Sequence, residues 1–288
     1  MSTLEGKRIV VTGATRGLGR GFALGLAAAG ARLVVNGTNA ALAEQVTEEI
    51  RAAGGTAEPV VGSVADDALA ERLISTCVER YGGVDSVVNN AGIVRDRTLM
   101  NMTPEEFDEV IAVNLRGTWS VSRHAARAMK ATGGHLLQIF SNSGFTGSIG
   151  QTNYAASKAG VMGMLYAWDV ELSRFNIRTN ALWPIAETDM TQVVFEMAKK
   201  RSEETGKPVP SAADLGFGTP ETIAPIVVYL CSDRASHLRS QLFTFNGRKL
   251  ALWSHPKETW IERKESWTLD ELDAAMRNSD EKVYVVPM

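Results

Sequence analysis

Cysteine is scarce: Cys77 and Cys231 are the only two in 288 residues, and they form no CxxC pair. That excludes a disulfide-stapled scaffold. Histidine is scarce too. His124, His135, His237 and His255 are scattered, with no HxxxH pattern and no Cys/His cluster to suggest a metal. No apolar run approaches the ~18 residues of a membrane span. An excess of one charge is also missing. Thirty Lys and Arg stand against 33 Asp and Glu, a net charge of -3. No overall field therefore draws the chain toward nucleic acid or an anionic membrane. Residues Met1 to Lys7 lead straight into a strand-like run and leave no room for a signal peptide. The expectation is a cytoplasmic, metal-free protein, long enough for one large α/β domain.

What is present is an alternation. Arg8 to Thr12 is a short β-branched run, and similar runs follow at Arg32–Asn36, Ala57–Val61, Asp85–Asn89, Gly134–Phe140, Ile177–Trp183 and Gln241–Asn246. Helix-like segments separate them: Leu18–Ala29, Asn39–Ala53, Asp66–Tyr81, a helix started by Thr103-Pro104 and Glu106, Thr152–Arg174, Thr188–Arg201 and one from Thr219 to Cys231. Strand and helix in turn predict a parallel, doubly wound sheet of about seven strands with helices on both faces. A ligand is expected at the carboxyl ends of the strands, where strand order reverses.

Two patterns carry chemistry. Between the first strand and its helix lie Gly13, Thr15, Arg16, Gly17, Leu18 and Gly19. Glycines there let the backbone approach a pyrophosphate closely, and the helix N-terminus attracts the anion. The second pattern is Tyr154 and Lys158, four residues apart on one helix and so on one face. A cation beside a phenol favours the phenolate and lowers its pKa from about 10 toward the working range of an acid–base catalyst.

The glycine loop, Asn89-Asn90-Ala91-Gly92, Asn114, Ser141 and Tyr154-x-x-x-Lys158 stand in order and register over about residues 6–250. Together they resemble the classical short-chain dehydrogenases/reductases. That resemblance implies a Rossmann-like fold and an NAD(P)-dependent interconversion of a secondary alcohol and a ketone. It implies Tyr154 as acid or base, Lys158 as the group that tunes it and holds the nicotinamide ribose, and Ser141 as holder of the substrate oxygen. Asn114 is implied as anchor of a water in a proton relay, and Ser143 is the lesser alternative to Ser141. Ser63 and Val64, Asn90, Ala91 and Gly92, and Pro184, Ile185 and Thr188 are implied as further cofactor contacts. The family usually has Gly after Pro184 and Asp at position 63, and this chain departs from it at both.

Cofactor choice rests on the end of the second strand. No carboxylate stands at Gly37 or Thr38, so a 2′-phosphate meets no repulsion there; Asn36 and Thr38 could bond it and Arg16 could pair with it. The reading leans to NADP over NAD, with Gly37→Asp as the change that would favour NAD. Finer likeness to 3-oxoacyl-thioester reductases and hydroxyacyl-CoA or steroid dehydrogenases points to a bulky, apolar hydroxy or keto substrate. A small cyclic ketone or polyol, and a non-catalytic cofactor sensor, are the alternatives. An apolar stripe of Met190, Val193, Val194 and Met197 suits a lid over such a substrate, or the chain's own core. Homodimers or homotetramers are expected through the helices bearing Asn114 and Tyr154, the latter carrying Val161, Met162, Met164, Leu165 and Trp168. Residues 1–250 read as the catalytic domain and 251–288 as an extension. Its Trp253, Trp260 and Trp267 are expected to pack on the core or on a neighbouring subunit.

Overall fold

The structure, a computed structural model, describes residues 3–188, 191–206, 208–257 and 265–277. It divides into two compact units, residues 1–253 and 254–288. The first is built on one eight-stranded sheet in the order β3-β2-β1-β4-β5-β6-β7-β8. The strands are β1 (Arg8–Val11), β2 (Arg32–Gly37), β3 (Thr56–Val61), β4 (Ser86–Asn89), β5 (Gly134–Ile139), β6 (Ile177–Pro184), β7 (Gln241–Phe245) and β8 (Leu250–Leu252). All pairings are parallel except β7 with β8. β1 and β2 carry runs of Val, Ile and Leu because both of their faces are covered. One face packs Val11, Val35, Leu137 and Leu182 against α1 (Gly17–Ala28) and α9 (Pro220–Cys231). The other packs Val10, Val34, Val87 and Leu136 against α3 (Asp67–Tyr81) and the segment that follows β4.

Between β2 and β3 runs α2 (Ala40–Ala52), capped by the Asn39 side chain, which accepts from the Leu42 N–H. After β4 comes α4 (Pro104–Val110), opened by the Thr103–Glu106 capping box that its sequence predicts. Here the chain departs from a plain helix. Ile111–Gly117 winds as a π-helix before α5 (Thr118–Met129) resumes the normal pitch. Single π turns inside helices recur at functional sites, and this one carries Asn114. A short helix, α6 (Ser143–Thr146), precedes the long α7 (Thr152–Leu172). After β6 comes α8 (Gln192–Thr205), which extends past the expected end at Arg201. Met190 and the side chains of Val193 and Val194 lie outside the described residues; Met197 is 67% exposed.

An eighth strand adds to the about seven expected. Leu250–Leu252 is three residues long, with Leu250 and Leu252 exposed, so it shows neither a β-branched run nor an alternation that periodicity could detect. Its hydrogen bonds to β7 take Trp253 into the first unit. In the second unit, α10 (Leu269–Arg277) begins at the predicted capping box of Thr268 and Glu271; Trp260 lies outside the described residues.

One ion pair fastens the base of the sheet. Arg8 offers its backbone N–H and two guanidinium N–H groups to Asp85 at 2.7–2.8 Å. Burial pushes the Asp85 carboxyl up, but hydrogen bonds from the Arg8 side chain and backbone outweigh it and hold the carboxyl below its usual range. A depressed carboxylate stabilises the fold above its unfolded pKa of about 3.9 and loses that contribution as pH falls through the lower folded value. Asp85→Asn is expected to cost about 2 kcal/mol at neutral pH. In thermal melts, the gap to wild type should close below about pH 3.

Candidate active site

The loops after β1, β4, β5 and β6 meet at one edge of the sheet, flanking the reversal of strand order between β1 and β4. The glycine loop after β1 is built for close approach. Gly13 has φ +61°, and a Cβ there would lie 2.7 Å from Ala91 Cα. At Gly19 a Cβ would meet the Gly13 carbonyl oxygen at 2.1 Å. Neither position admits a side chain. The loop is pinned from β4: the Asn90 amide donates to the carbonyls of Thr12 (3.1 Å) and Gly13 (3.0 Å), and Thr12 Oγ1 accepts the N–H groups of Asn90 and Ala91. Sequence reasoning assigned Asn90 to the cofactor; its side-chain amide instead shapes the loop that would receive one. Thr12 was missed, although it stands directly before the first glycine.

Arg16 precedes α1, no side chain caps that helix, and its first turn holds no acidic residue. A glycine-lined cradle at a helix N-terminus free of acids fits a pyrophosphate. Leu18 turns partly into the core beneath it. Thr188 lies beside Gly17, with its Cγ2 3.7 Å from where a Cβ would stand. Thr15 covers Gly37 so closely that a Cβ at Gly37 would fall 2.3 Å from Thr15 Cγ2. Ser63 caps its own turn, accepting from the Ala65 N–H, and Val64 is buried against the π-helix at Gly117.

Two expected contacts are corrected. Asn36 is 1% exposed, donates to the carbonyls of Val60 and Gly62, and accepts from the Gly13 N–H. Its amide ties β2 to β3 and to the loop, so it cannot also bond a 2′-phosphate. The N–H of Ile185 is committed to the Phe245 carbonyl at 2.9 Å and is not available to a nicotinamide amide.

The catalytic candidates converge on the end of β5. Tyr154 and Lys158 share a face of α7, with Lys158 Nζ 5.5 Å from the centre of the phenol ring. The ammonium is buried and donates to the Ile139 carbonyl at 2.8 Å. Burial pulls Lys158 down to about 8. Burial also pushes the Tyr154 phenol up to about 12; a hydrogen bond with Ser141 works against it and the Asp96 carboxylate adds to it. That is opposite in direction to the sequence expectation. Among the protein groups around Tyr154, loss of solvent is the largest influence.

Asn114 is fully buried in the π-helix. Its Oδ1 accepts the Ile93 N–H (2.8 Å), and its Nδ2 donates to the Ile93 carbonyl (3.0 Å) and to Ser157 Oγ (3.3 Å). It clasps the loop after β4 to α7, beside Gly92. Ser143 stands behind Ser141: its N–H donates to Ser141 Oγ at 3.2 Å, and the two hydroxyls are 3.3 Å apart.

A sequence model of the family described as short chain dehydrogenase matches residues 7–199. The chain belongs to that family. This dehydrogenase is 40% identical to a protein of Mycobacterium tuberculosis named hydroxyacyl-CoA dehydrogenase ChsB1, over 96% of its own length and 89% of that protein's. It is 38% identical to the 3-oxoacyl-[acyl-carrier-protein] reductase FabG of Aquifex aeolicus, over 85% and 97%. The crystal structure of a short chain dehydrogenase from Mycobacterium avium superposes with a TM-score of 0.81 at 35% identity, covering 98% and 97% of the two chains. The dehydrogenase is therefore an oxidoreductase that acts on CH–OH groups, of a family that binds NAD(P). Among its described residues, no helix is long and apolar enough to cross a membrane and no group of three His, Cys, Asp or Glu could hold a metal.

Proposed function

We propose that this dehydrogenase interconverts a secondary alcohol and a ketone on a bulky apolar substrate, a 3-oxoacyl thioester or a steroid-like ketone, with NADP preferred over NAD. The observation that carries the reaction is half-buried Tyr154 paired with buried Lys158 on one face of α7, facing Ser141 at the strand ends. The dinucleotide supplies the hydride when bound, and Gly13, Gly19 and the α1 N-terminus would hold its pyrophosphate. Ser141 holds the substrate oxygen. Tyr154 gives that oxygen a proton in reduction and takes it back in oxidation. Lys158 and Asn114 keep the phenol and its relay in line.

Substrate size is argued from the rim. Leu99 and Met100 after β4, and Phe145 and Ile149 after β5, are all exposed, Met100 at 93% and Ile149 at 97%. Large apolar side chains in water around a polar site suit an apolar ligand body. The names of the two relatives, on hydroxyacyl-CoA and 3-oxoacyl-carrier substrates, lie in the same class. The test is turnover with NADPH and NADH of acetoacetyl-CoA, androst-4-ene-3,17-dione and cyclohexanone. A rate highest on cyclohexanone would sink the bulky-substrate reading.

NADP preference is argued from Arg16 and Thr38, the two remaining candidates for the 2′-phosphate. Gly37→Asp is a poor probe of it, because its Cβ cannot be placed without moving Thr15. Thr38 is exposed and has room. Thr38→Asp is expected to weaken NADP binding about tenfold or more through charge repulsion, with NAD little affected, as read by nicotinamide fluorescence titration. Equal losses for both cofactors would remove the assignment.

Assembly as a homodimer or homotetramer completes the proposal. Its support is narrower than the sequence suggests, since Val161, Met162 and Leu165 are buried within the chain itself. Trp119 on α5 and Val170 on α7 remain exposed, and light scattering that finds a stable monomer would overturn it.

A further inference from the structure

The run Asn89 to Leu99 holds Asp96, to which the proposed reaction gives no role, yet the fold brings this residue to the catalytic serine. The loop after β4 and the segment between β5 and α7 are stitched together. The Arg97 N–H donates to the Gly150 carbonyl at 2.7 Å. The buried Asn153 amide donates to the carbonyls of Arg95 and Glu106, each at 3.0 Å. This stitching sets Asp96 against Gln151 at the start of α7. Gln151 Nε2 donates to both carboxylate oxygens of Asp96, at 3.1 and 3.3 Å. Gln151 Oε1 accepts from Ser143 Oγ at 3.2 Å. Ser143 in turn meets Ser141 through its N–H and its hydroxyl.

The chain Asp96–Gln151–Ser143–Ser141 has a direction. A carboxylate only accepts, so the amide end of Gln151 faces Asp96 and its carbonyl faces Ser143. The Ser143 hydrogen is then held by Gln151, and Ser148 Oγ, 3.1 Å away, is left to donate to Ser143. Toward Ser141, the Ser143 hydroxyl is an acceptor alone. We propose that Asp96 and Gln151 are positioning residues for Ser141, fixing the polarity of the hydroxyl chain behind it. Ser141 oxygen takes one N–H from Ser143, and its hydroxyl hydrogen stays available to the Tyr154 oxygen. That hydrogen otherwise rests on long, weak acceptors, Ser143 Oγ at 3.3 Å and Asn142 Oδ1 at 3.5 Å, and turns to hydrogen-bond the substrate oxygen as that atom gains negative charge, while Tyr154 gives that oxygen its proton. Reversal of the chain would aim the Ser143 hydrogen at Ser141 as a second donor and remove the acceptor that holds the Ser141 hydrogen in place.

The inference rests on the proposed role of Ser141. It is tested with Gln151→Glu, Asp96→Asn and the double variant, alongside Tyr154→Phe, on whichever ketone of the panel wild type turns over fastest. Gln151→Glu keeps an acceptor toward Ser143 but sets two carboxylates face to face. It is expected to lose about tenfold or more in kcat, since small displacements of a reacting group cost that much, with cofactor affinity unchanged. In the double variant, an Asn amide at position 96 donates to a Glu carboxylate at 151 and the original polarity returns, so kcat should recover most of the loss. A merely structural role would move the melting temperature and leave no such rescue. A double variant no faster than Gln151→Glu, or Gln151→Glu at wild-type rate while Tyr154→Phe is inactive, overturns the inference alone. If Gln151→Glu fails to fold, unchanged kcat in Asp96→Asn overturns it as well. A fully active Tyr154→Phe, or a wild type inactive on the whole panel, removes the reading beneath it and the inference with it.

Discussion

Tyr154→Phe is expected to abolish nearly all turnover while leaving cofactor affinity intact. The substitution removes one hydroxyl and keeps the ring that packs against Lys158. General acid–base groups contribute about 10²–10⁴-fold, so kcat should fall by at least that order. Lys158→Met is expected to behave differently. The Lys158 ammonium, pulled down to about 8 by burial, is charged below that pH and then favours the phenolate of Tyr154. Its removal takes away that cation and leaves the burial that pushes Tyr154 up. Oxidation, which needs the phenolate, should lose rate at neutral pH and recover it only in alkali. Reduction, which needs the protonated phenol, should lose less at low pH. The measurement is kcat against pH in both directions for the two variants and wild type. Wild-type turnover in Tyr154→Phe would place the chemistry on another group.

How much of this was legible in the residues varies with range. Tyr154 and Lys158 share a face because helix periodicity alone requires it, and Gly13 and Gly19 announce close backbone approach because no other residue fits there. Partners across the fold were harder. Asn36 looks like a cofactor ligand from its place at a strand end, but its amide bridges β2, β3 and the glycine loop. Whether a polar side chain turns inward is decided by neighbouring strands, which one strand's pattern does not contain. Gly37 reads as the absence of a carboxylate; the structure adds that Thr15 fills the space of its missing side chain. Asn114 stands out as a poor helix residue, but the π-helix that exploits it shows no periodic signature over seven residues. The perturbed pKa of Tyr154 was misjudged in direction because spacing reveals the cation and hides the desolvation.

Ending the chain after Leu250 is expected to destabilise the first unit strongly, whereas ending it after Trp253 should leave that unit's packing intact. The difference lies in three residues. Ala251 and Leu252 complete β8 against β7, and the Trp253 N–H donates to the Leu242 carbonyl at 3.0 Å. The Trp253 indole then donates to Thr244 Oγ1 at 2.7 Å, stacks on Phe145 at 4.7 Å and meets Phe140 and Trp183 at 6.4 and 6.0 Å. Phe145 belongs to α6, the helix that follows Ser141, and Trp183 stands one residue before the end of β6. The indole thus braces two of the four loops that form the site. Loss of a packed Trp typically costs about 3–5 kcal/mol, and the shorter chain also loses the β8 pairing. The cut after Leu250 should therefore lower the melting temperature by roughly ten degrees or more at this size. Trp253→Ala in the full chain should reproduce most of that loss and lower kcat through the loosened α6. Equal melting temperatures for the two truncations would show that β8 and its tryptophan contribute nothing to holding the sheet edge.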